Sequence, residues 1–416
     1  MIRLIRKLTT RRSSMSQYSI PTHLLLQSMT IPLIFYAAIL FNDIGVSAQA
    51  RHTIAGGEKP RTGWLYIVDS KWGSTEGQVL VFDPVGNRVV RTFKTGLNPD
   101  IALSPDGTRL YIASTFIIED RINREDLTVI DTASGATLQS SNNPNRIFYN
   151  ILPPSSSMAF SPNGRWLYVM KYKVVDALNT LYWVETFDTR QGEFLPKKAV
   201  VPSCGWARLL PSQKERQVQV VCEESKEVRL LRIDSNGSAA ASASQFASET
   251  NAAPYRNTVN RVEPGNPNTL AGGFLSTDER SIAVLKDGRI RSVDAGSNVI
   301  TEIATVKLPP GKWVHSAVNS ADSNKIFVSL SLPDGSAQGQ WSGGEILSVN
   351  LSDSAQSAPV KTKHPFNYLF LSRNGRQLYA INSSEANLMV IDAATLKEVR
   401  TVEDIGESPA IIIEAP

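Results

Sequence analysis

One cadence recurs along this chain and limits what it can become: an apolar strand, a Ser-x-Asp/Asn-Gly turn, then a second strand. It reads NPDIALSPDGTRLYIAST at 98–115, SSMAFSPNGRWLYVM at 156–170 and FNYLFLSRNGRQLYAIN at 366–382. Short strands ending in aspartate recur with it: VFD at 81–83, VID at 129–131, TFD at 186–188 and VID at 390–392. Self-similarity at roughly 40–60 residues marks an array of small antiparallel sheets, none of which buries a core alone. Stacked radially, such sheets make a β-propeller.

First strands of successive sheets start near Pro99, Ser156, Gly205, Gly272, Trp313 and Asn367. A seventh, SPAIIIEAP at 408–416, has no strand after it, and GWLYIVDS at 63–70 reads as a second strand with no first strand before it. Each fragment supplies what the other lacks. Pairing them closes a ring and removes two open sheet edges. The expectation is all-β: a seven-bladed β-propeller over 63–416, closed by the N- and C-terminal strands in one blade. The Ser/Ala-rich stretch Ser235–Pro254 reads as a flexible connector.

The first fifty residues are of another kind. Arg3, Arg6, Lys7, Arg11 and Arg12 form a basic head, Ile31–Phe41 is an apolar run, and Ala48-Gln49-Ala50 fits a small-x-small cleavage site. That is the pattern of a signal peptide over 1–50, leaving a tail over 51–62. Met15 and Met29 are alternative starts. The competing reading is a retained anchor, since Leu24–Phe41 carries no charge. Cleavage implies a periplasmic or secreted chain with no further membrane contact.

Charge follows from cleavage. The leader holds five of the 43 basic residues and one of the 39 acidic ones, so the mature chain is formally neutral. The basic balance therefore gives no support to a nucleic-acid partner. Cys204 and Cys222 flank a turn-like stretch at 211–216, and the midpoint of the two cysteines is 213. Residues equidistant from a hairpin turn face each other, within reach of a disulfide. In an oxidising compartment a structural bond between them is expected.

Tight turns (SPDG, SPNG, SRNG, TASG) would sit on one face of the propeller. The other face carries the long segments Ser70–Gly77, Thr115–Asp126, Tyr172–Thr180 and Ser331–Gly344, with connectors 139–155 and 236–271. Long loops on a rigid scaffold are where binding concentrates. Aromatics on that face, Trp72, Phe116 and Trp313, are candidates for a site, against the plainer reading that loops pack on one another. The charged run Glu119, Arg121, Arg124, Asp126 reads as a solvated tip or as a register-setting contact with a partner.

Histidine, nucleophile and metal patterns point to no catalytic set. His52, His315 and His364 have no ligand-spaced neighbours, and each reads as a surface or capping histidine. Asp83, Asp131, Asp188, Asp234, Asp294 and Asp392 stand at strand ends, where aspartate caps the following turn. The turn aspartates and asparagines are likewise turn formers.

Several pieces in order resemble the heavy subunit of periplasmic quinoprotein amine dehydrogenases, and more generally YVTN-type propellers. They are Ala113–Phe116 with the Arg-rich run after it, VPSC at 201–204 with Cys222, PPGKW at 309–313, and IGESPAIIIEA at 405–415. The resemblance implies a chain without cofactor. A small disulfide-rich light chain would carry a tryptophan-derived quinone, and electrons would pass to a periplasmic carrier. The family's channel aromatic falls in Asp69–Gly77, where Gly73 holds the aligned position and Trp72 precedes it. The resemblance thus implies oxidative deamination of a primary amine on the partner chain. The competing function is a non-enzymatic propeller binding a protein or polymer through its long-loop face. A lactonase-type enzyme lacks a convincing acid, base or metal set.

Overall fold

The computed structural model describes residues 62–70, 76–118, 121–143, 158–176, 179–201, 207–212, 214, 216–222, 227–233, 239–244, 270–275, 280–293, 300–320, 322–331 and 343–416. The leader 1–50 and all but the last residue of the tail 51–62 lie outside them.

Among the described residues the chain is all strand, with no helix. In chain order the strands are β1 (Leu65–Ser70), β2 (Glu76–Asp83), β3 (Arg88–Leu103), β4 (Arg109–Ile118), β5 (Arg121–Asp131) and β6 (Thr137–Asn143). Then come β7 (Met158–Phe160), β8 (Trp166–Asp176), β9 (Asn179–Asp188), β10 (Glu193–Val201), β11 (Ala207–Pro211), β12 (Gln217–Cys222), β13 (Glu227–Ile233) and β14 (Ala239–Ser244). They continue as β15 (Leu270–Leu275), β16 (Ser281–Leu285), β17 (Arg289–Val293), β18 (Ile300–Thr305), β19 (Trp313–Asn319), β20 (Lys325–Ser331) and β21 (Gly343–Asn350). The last are β22 (Val360–Phe366), β23 (Tyr368–Leu371), β24 (Gln377–Asn382), β25 (Asn387–Asp392), β26 (Glu398–Val402) and β27 (Pro409–Glu414).

The fold is a β-propeller. Five sheets are four-stranded meanders, β7–β10, β11–β14, β15–β18, β19–β22 and β23–β26, and one is seven-stranded in the order β27-β1-β2-β3-β4-β5-β6. Seven blades are expected from the sequence and six sheets are found. The difference lies in β3, a single strand of 16 residues. Its first half pairs with β2 as far as Gly96, opposite Glu76. Its second half pairs with β4 from Leu97, opposite Thr115, with a register shift before Asp100.

First strands lie against first strands in a closed cycle: β27 beside β3, then β7, β11, β15, β19, β23 and back to β27. The terminal strands do pair. β27 runs antiparallel to β1, with Leu65 opposite Glu414, Tyr66 opposite Ile413 and Ile67 opposite Ile412.

The core fills the seams between sheets, because side chains alternate faces along a strand. Leu65 and Ile67 of β1 pack with Tyr379, Ile381 and Val390. Tyr66 and Val68 point the other way, onto Ile101, Leu110 and Ile112. One strand thus serves two seams. Each fully buried Leu or Ile is worth about 1.5–3 kcal/mol, so no sheet is independent of its neighbours.

The cadence has a concrete geometry. The turn serine accepts the N–H five residues on (Arg109 to Ser104 at 2.9 Å, Trp166 to Ser161 at 3.0 Å, Gln377 to Ser372 at 2.8 Å). Its hydroxyl donates to the Asp or Asn two residues on, Ser104 to Asp106 at 2.6 Å and Ser372 to Asn374 at 2.9 Å. Gly107, Gly164 and Gly375 follow with φ near +70°, which favours glycine. The strand-end aspartates cap the next turn as expected: Asp83 accepts Val85 N–H, Asp131 accepts Ser134 N–H, Asp188 accepts Arg190 N–H and Asp392 accepts Thr395 N–H. Asp234 and Asp294 lie outside the described residues.

Two expectations change. Residues 115–126 are largely strand and not loop, and so are 172–176 and 179–180. The Ser/Ala-rich stretch supplies β14, paired with β13 from Val228 opposite Ser244 to Ile233 opposite Ala239. An outermost strand needs backbone pairing on one side and little burial, so small residues suffice there.

Candidate functional site

Meander topology sorts the turns onto two faces. First-to-second and third-to-fourth turns share one. Second-to-third hairpins and the connectors between sheets share the other. On the plain face, side chains of one sheet's outer strand reach the turn of the next. Arg91 Nη1 donates to Thr132 O at 3.0 Å, Gln139 to Gly192 O, and Arg400 to Pro84 O; in the opposite sense Gln356, in the β21–β22 turn, donates to Lys307 O at 3.0 Å, just after the outer strand β18.

The other face is elaborated by two β-hairpin arms. The β24–β25 ladder ends at Asn382 opposite Asn387. The turn serines align Asn382 with Ser114 in β4 and Lys171 in β8, each ten residues after Ser372, Ser104 and Ser161. The β4–β5 ladder continues past Ser114 and Asp126, pairing Thr115 with Glu125, Phe116 with Arg124, and after a bulge Ile118 with Arg121. The β8–β9 ladder continues past Lys171 and Trp183 to Asp176 opposite Asn179. Four or five extra residues per strand carry each arm on the order of 15 Å further. The arms rise from consecutive sheets.

The expected site residues distribute unevenly. Arg121 and Arg124 belong to the β4–β5 arm, Asp126 stands at its base opposite Ser114, and Phe116 is the ladder partner of Arg124. Trp313 opens β19, partly exposed, in a different sheet. Trp72, Gly73 and Glu119 lie outside the described residues. Cys222 is opposite Ala207 and not Cys204, because Pro211 is still in strand and pairs with Val218. On that register Ala207, not residue 204, is equidistant from the turn with Cys222, and Cys204 lies outside the described residues.

One repeat position carries polar residues that the sequence reading missed. It is the last place in the second strand before the elaborated face. Ser114, Lys171 and Asn382 occupy it and are buried; Asp69, five residues after Trp64 as Ser114 is after Arg109, is their counterpart in β1. Asn382 caps its own turn, accepting Ser384 N–H at 3.0 Å. Asp69 accepts Ser408 N–H at 2.6 Å, Glu407 N–H at 2.9 Å and the Gln78 side-chain amide at 2.6 Å. Lys171 Nζ lies 2.8 Å from Glu185 Oε2 and 4.7 Å above the Phe194 ring, while Trp183 Nε1 donates to Glu185 Oε1 at 2.9 Å. The signal was available: count ten residues from each turn serine.

Histidines play different parts. His364 Nδ1 lies 3.6 Å from Glu385. His315 Nε2 contacts Asn367 O at 2.8 Å, bridging β19 to the entry of β23. Burial, partly offset by that bond, holds its pKa below the ordinary value. Among the described residues no three His, Cys, Asp or Glu side chains converge as metal ligands.

No protein-family model matches the sequence, and no curated protein sequence matches it. Solved structures do. A periplasmic gluconolactonase from Pseudomonas aeruginosa, PpgL, aligns with a TM-score of 0.55 at 16% identity, over 86% of this chain and 100% of its own. Dihydro-heme d1 dehydrogenase NirN, solved in complex with DHE, aligns at 0.53 and 16%, over 86% and 76%. A protein from Lactobacillus plantarum aligns at 0.54 and 14%, over 85% and 99%. Neither named enzyme is an amine dehydrogenase, so that resemblance rests on sequence pieces alone. What this chain shares with all three is the β-propeller fold.

Proposed function

We propose that the chain is an exported, seven-bladed docking propeller that binds a partner protein through its elaborated face. The observation that carries this is the pair of hairpin arms on consecutive sheets, since projecting elements on a rigid scaffold are a common basis for recognition. The blade count follows if β3 is shared, its halves serving two blades, and the closed cycle of seven first strands supports that. Export is supported by the leader pattern and by the periplasmic neighbour.

In its specific form the partner is a small disulfide-rich light chain bearing a tryptophan-derived quinone. The assembly would deaminate a primary amine and pass electrons to a periplasmic carrier, with no cofactor and no catalytic residue on this chain. Trp72, Gly73, Phe116 and Trp313 would shape substrate access, and Glu119, Arg121, Arg124 and Asp126 would dock the light chain. Cys204 and Cys222 would be bonded, which thiol titration of the unfolded, unreduced protein tests. The second reading is a binding propeller with no enzymatic partner, favoured by the mixed charge of the β4–β5 arm, which suits recognition of any charged surface.

Capture of the tagged mature chain from its native envelope tests both. The dehydrogenase form requires a small quinone-bearing chain in the eluate and amine-dependent dye reduction. A different stoichiometric partner without amine oxidation supports the binding propeller alone. Recovery of no partner overturns docking.

A further inference from the structure

An outermost strand leaves one row of backbone N–H and C=O groups without a ladder, a template for pairing with another chain. Proteins blunt such edges with bulges, charged residues or proline. Here the outermost strands are β6, β10, β14, β18, β22 and β26, and the first half of β3 holds the same place beside β2.

All of these edges but one are blunted. A register shift interrupts the ladder of β3 with β2, β6 with β5, β10 with β9, β18 with β17, β22 with β21 and β26 with β25. Each time the extra residues belong to the outermost strand, so the bulge bends that edge. Charge accompanies the bulge in all of them except β6. Lys197 and Lys198 in β10, and Lys361 and Lys363 in β22, are examples, with Pro196 and Pro365 in the same two strands.

β14 has none of these devices. Its sequence, Ala-Ala-Ala-Ser-Ala-Ser over Ala239–Ser244, carries no charge and no proline. Its ladder with β13 runs from Val228 opposite Ser244 to Ile233 opposite Ala239 without a shift. β10 of the preceding sheet lies alongside but exchanges no ladder pair with it.

The chemistry of the edge narrows its partner. Where a foreign strand adds to a sheet, main-chain hydrogen bonds give affinity and pockets for alternate side chains give selectivity. A row of Ala and Ser forms no such pockets and selects no foreign sequence. A second copy of the chain needs no selection. About a two-fold axis the edge meets itself antiparallel, small residues against small residues, with no charge to repel its own image. The same operation on β22 would set its lysines against themselves.

We propose that the far edge of β14 pairs antiparallel with β14 of a second copy, making one continuous sheet across two propellers. Six residues from each chain would exchange about six backbone hydrogen bonds. The inference goes beyond partner docking and does not depend on it, since β14 belongs to the sheet β11–β14 and the arms rise from two others.

The test is sedimentation velocity on the mature chain alone over a wide range of concentration. Wild type is expected to pass reversibly from monomer to dimer. Ala241→Lys and Ala241→Glu each place like charges across the two-fold, and each should weaken dimerisation about tenfold while keeping the melting temperature. An equal mixture of the two variants should associate as wild type does, because opposite charges then meet. The Ser242→Lys and Ser242→Glu pair repeats the comparison if either first variant melts lower. A wild-type chain that stays monomeric throughout overturns the proposal. So does a dimer that every folded charge variant leaves intact, or a mixture that associates no better than its components. Capture of a different protein that Ala241→Lys abolishes, with wild type monomeric, would assign the edge to a foreign strand and overturn self-pairing.

Discussion

The carboxylate of Asp69 accepts the backbone N–H of Ser408 at 2.6 Å, across 339 residues of sequence. With Glu407 N–H and the Gln78 amide on the same carboxylate, this buried group ties the first strand to the turn that delivers the last one. Asp69→Ala removes this acceptor from the buried Ser408 N–H, at a cost of about 1–3 kcal/mol, while the part-buried Glu407 N–H and Gln78 amide add less. Gly406 has a φ of +100°, and a Cβ there would lie 2.6 Å from the same carboxylate. Gly406→Ala should therefore destabilise comparably. Denaturant melts check both; an Asp69→Ala midpoint equal to wild type would show that closure does not depend on this contact.

A second prediction concerns the buried Lys171–Glu185 pair at the base of the β8–β9 arm. Glu185→Gln removes the partly exposed carboxylate 2.8 Å from the fully buried Lys171 Nζ, a loss of about 3 kcal/mol, toward the low end for a buried pair. The double change Lys171→Met, Glu185→Leu removes both charges and should be far milder than the single one. A double-mutant cycle with no coupling would refute the buried-pair reading.

Protonation of His315 sets a third expectation. Its folded-state pKa is lowered, chiefly by burial. The unfolded chain therefore takes up the proton first as pH falls. Stability is full above the unfolded value of about 6.5 and declines as pH drops through the lower folded value. His315→Gln should flatten that part of the stability curve. Asp131 and Asp322, held below their ordinary pKa chiefly by the Ser134 and Ser320 hydroxyls, act further down the scale. Their contribution is present above the usual carboxylate pKa and is lost in acid.

Docking can be separated from folding at the β4–β5 arm. Replacing 115–125 by a two-residue Asn-Gly turn leaves the ladder from Arg109–Asp131 to Ser114–Asp126 intact. The shortened chain should melt like wild type and lose partner capture, and reversing charge at Arg121 and Arg124 should weaken capture in a salt-dependent way. Unchanged capture by the shortened chain would move the interface elsewhere.

What the sequence makes legible here is set by how local the physics is. Turn chemistry at Ser104, Ser161 and Ser372 is written in four adjacent residues, so the repeat and the ring can be read directly. The arms cannot, because a charged run such as 119–126 looks the same in a loop as on a solvated ladder. The Ala/Ser run of β14 is silent for a related reason: its strand state comes from β13, not from its own side chains. Cys222 was misplaced because the hairpin turn lies later than its proline suggests, Pro211 being strand and Arg216 taking the left-handed conformation. Asp69 and His315 become visible only when distant strands meet.

The shared strand β3 has a mechanical consequence. The two sheets flanking Gly96–Leu97 are carried on one continuous strand, so a tilt of one is passed along a single backbone to the other, as from a lever. The seam held by Asp69 lies at the far edge of that lever, one sheet's width away. A load on the β4–β5 arm would therefore be felt at the closure, and an arm pulled by a partner would strain the Ser408 contact before it strained the sheets between β11 and β22.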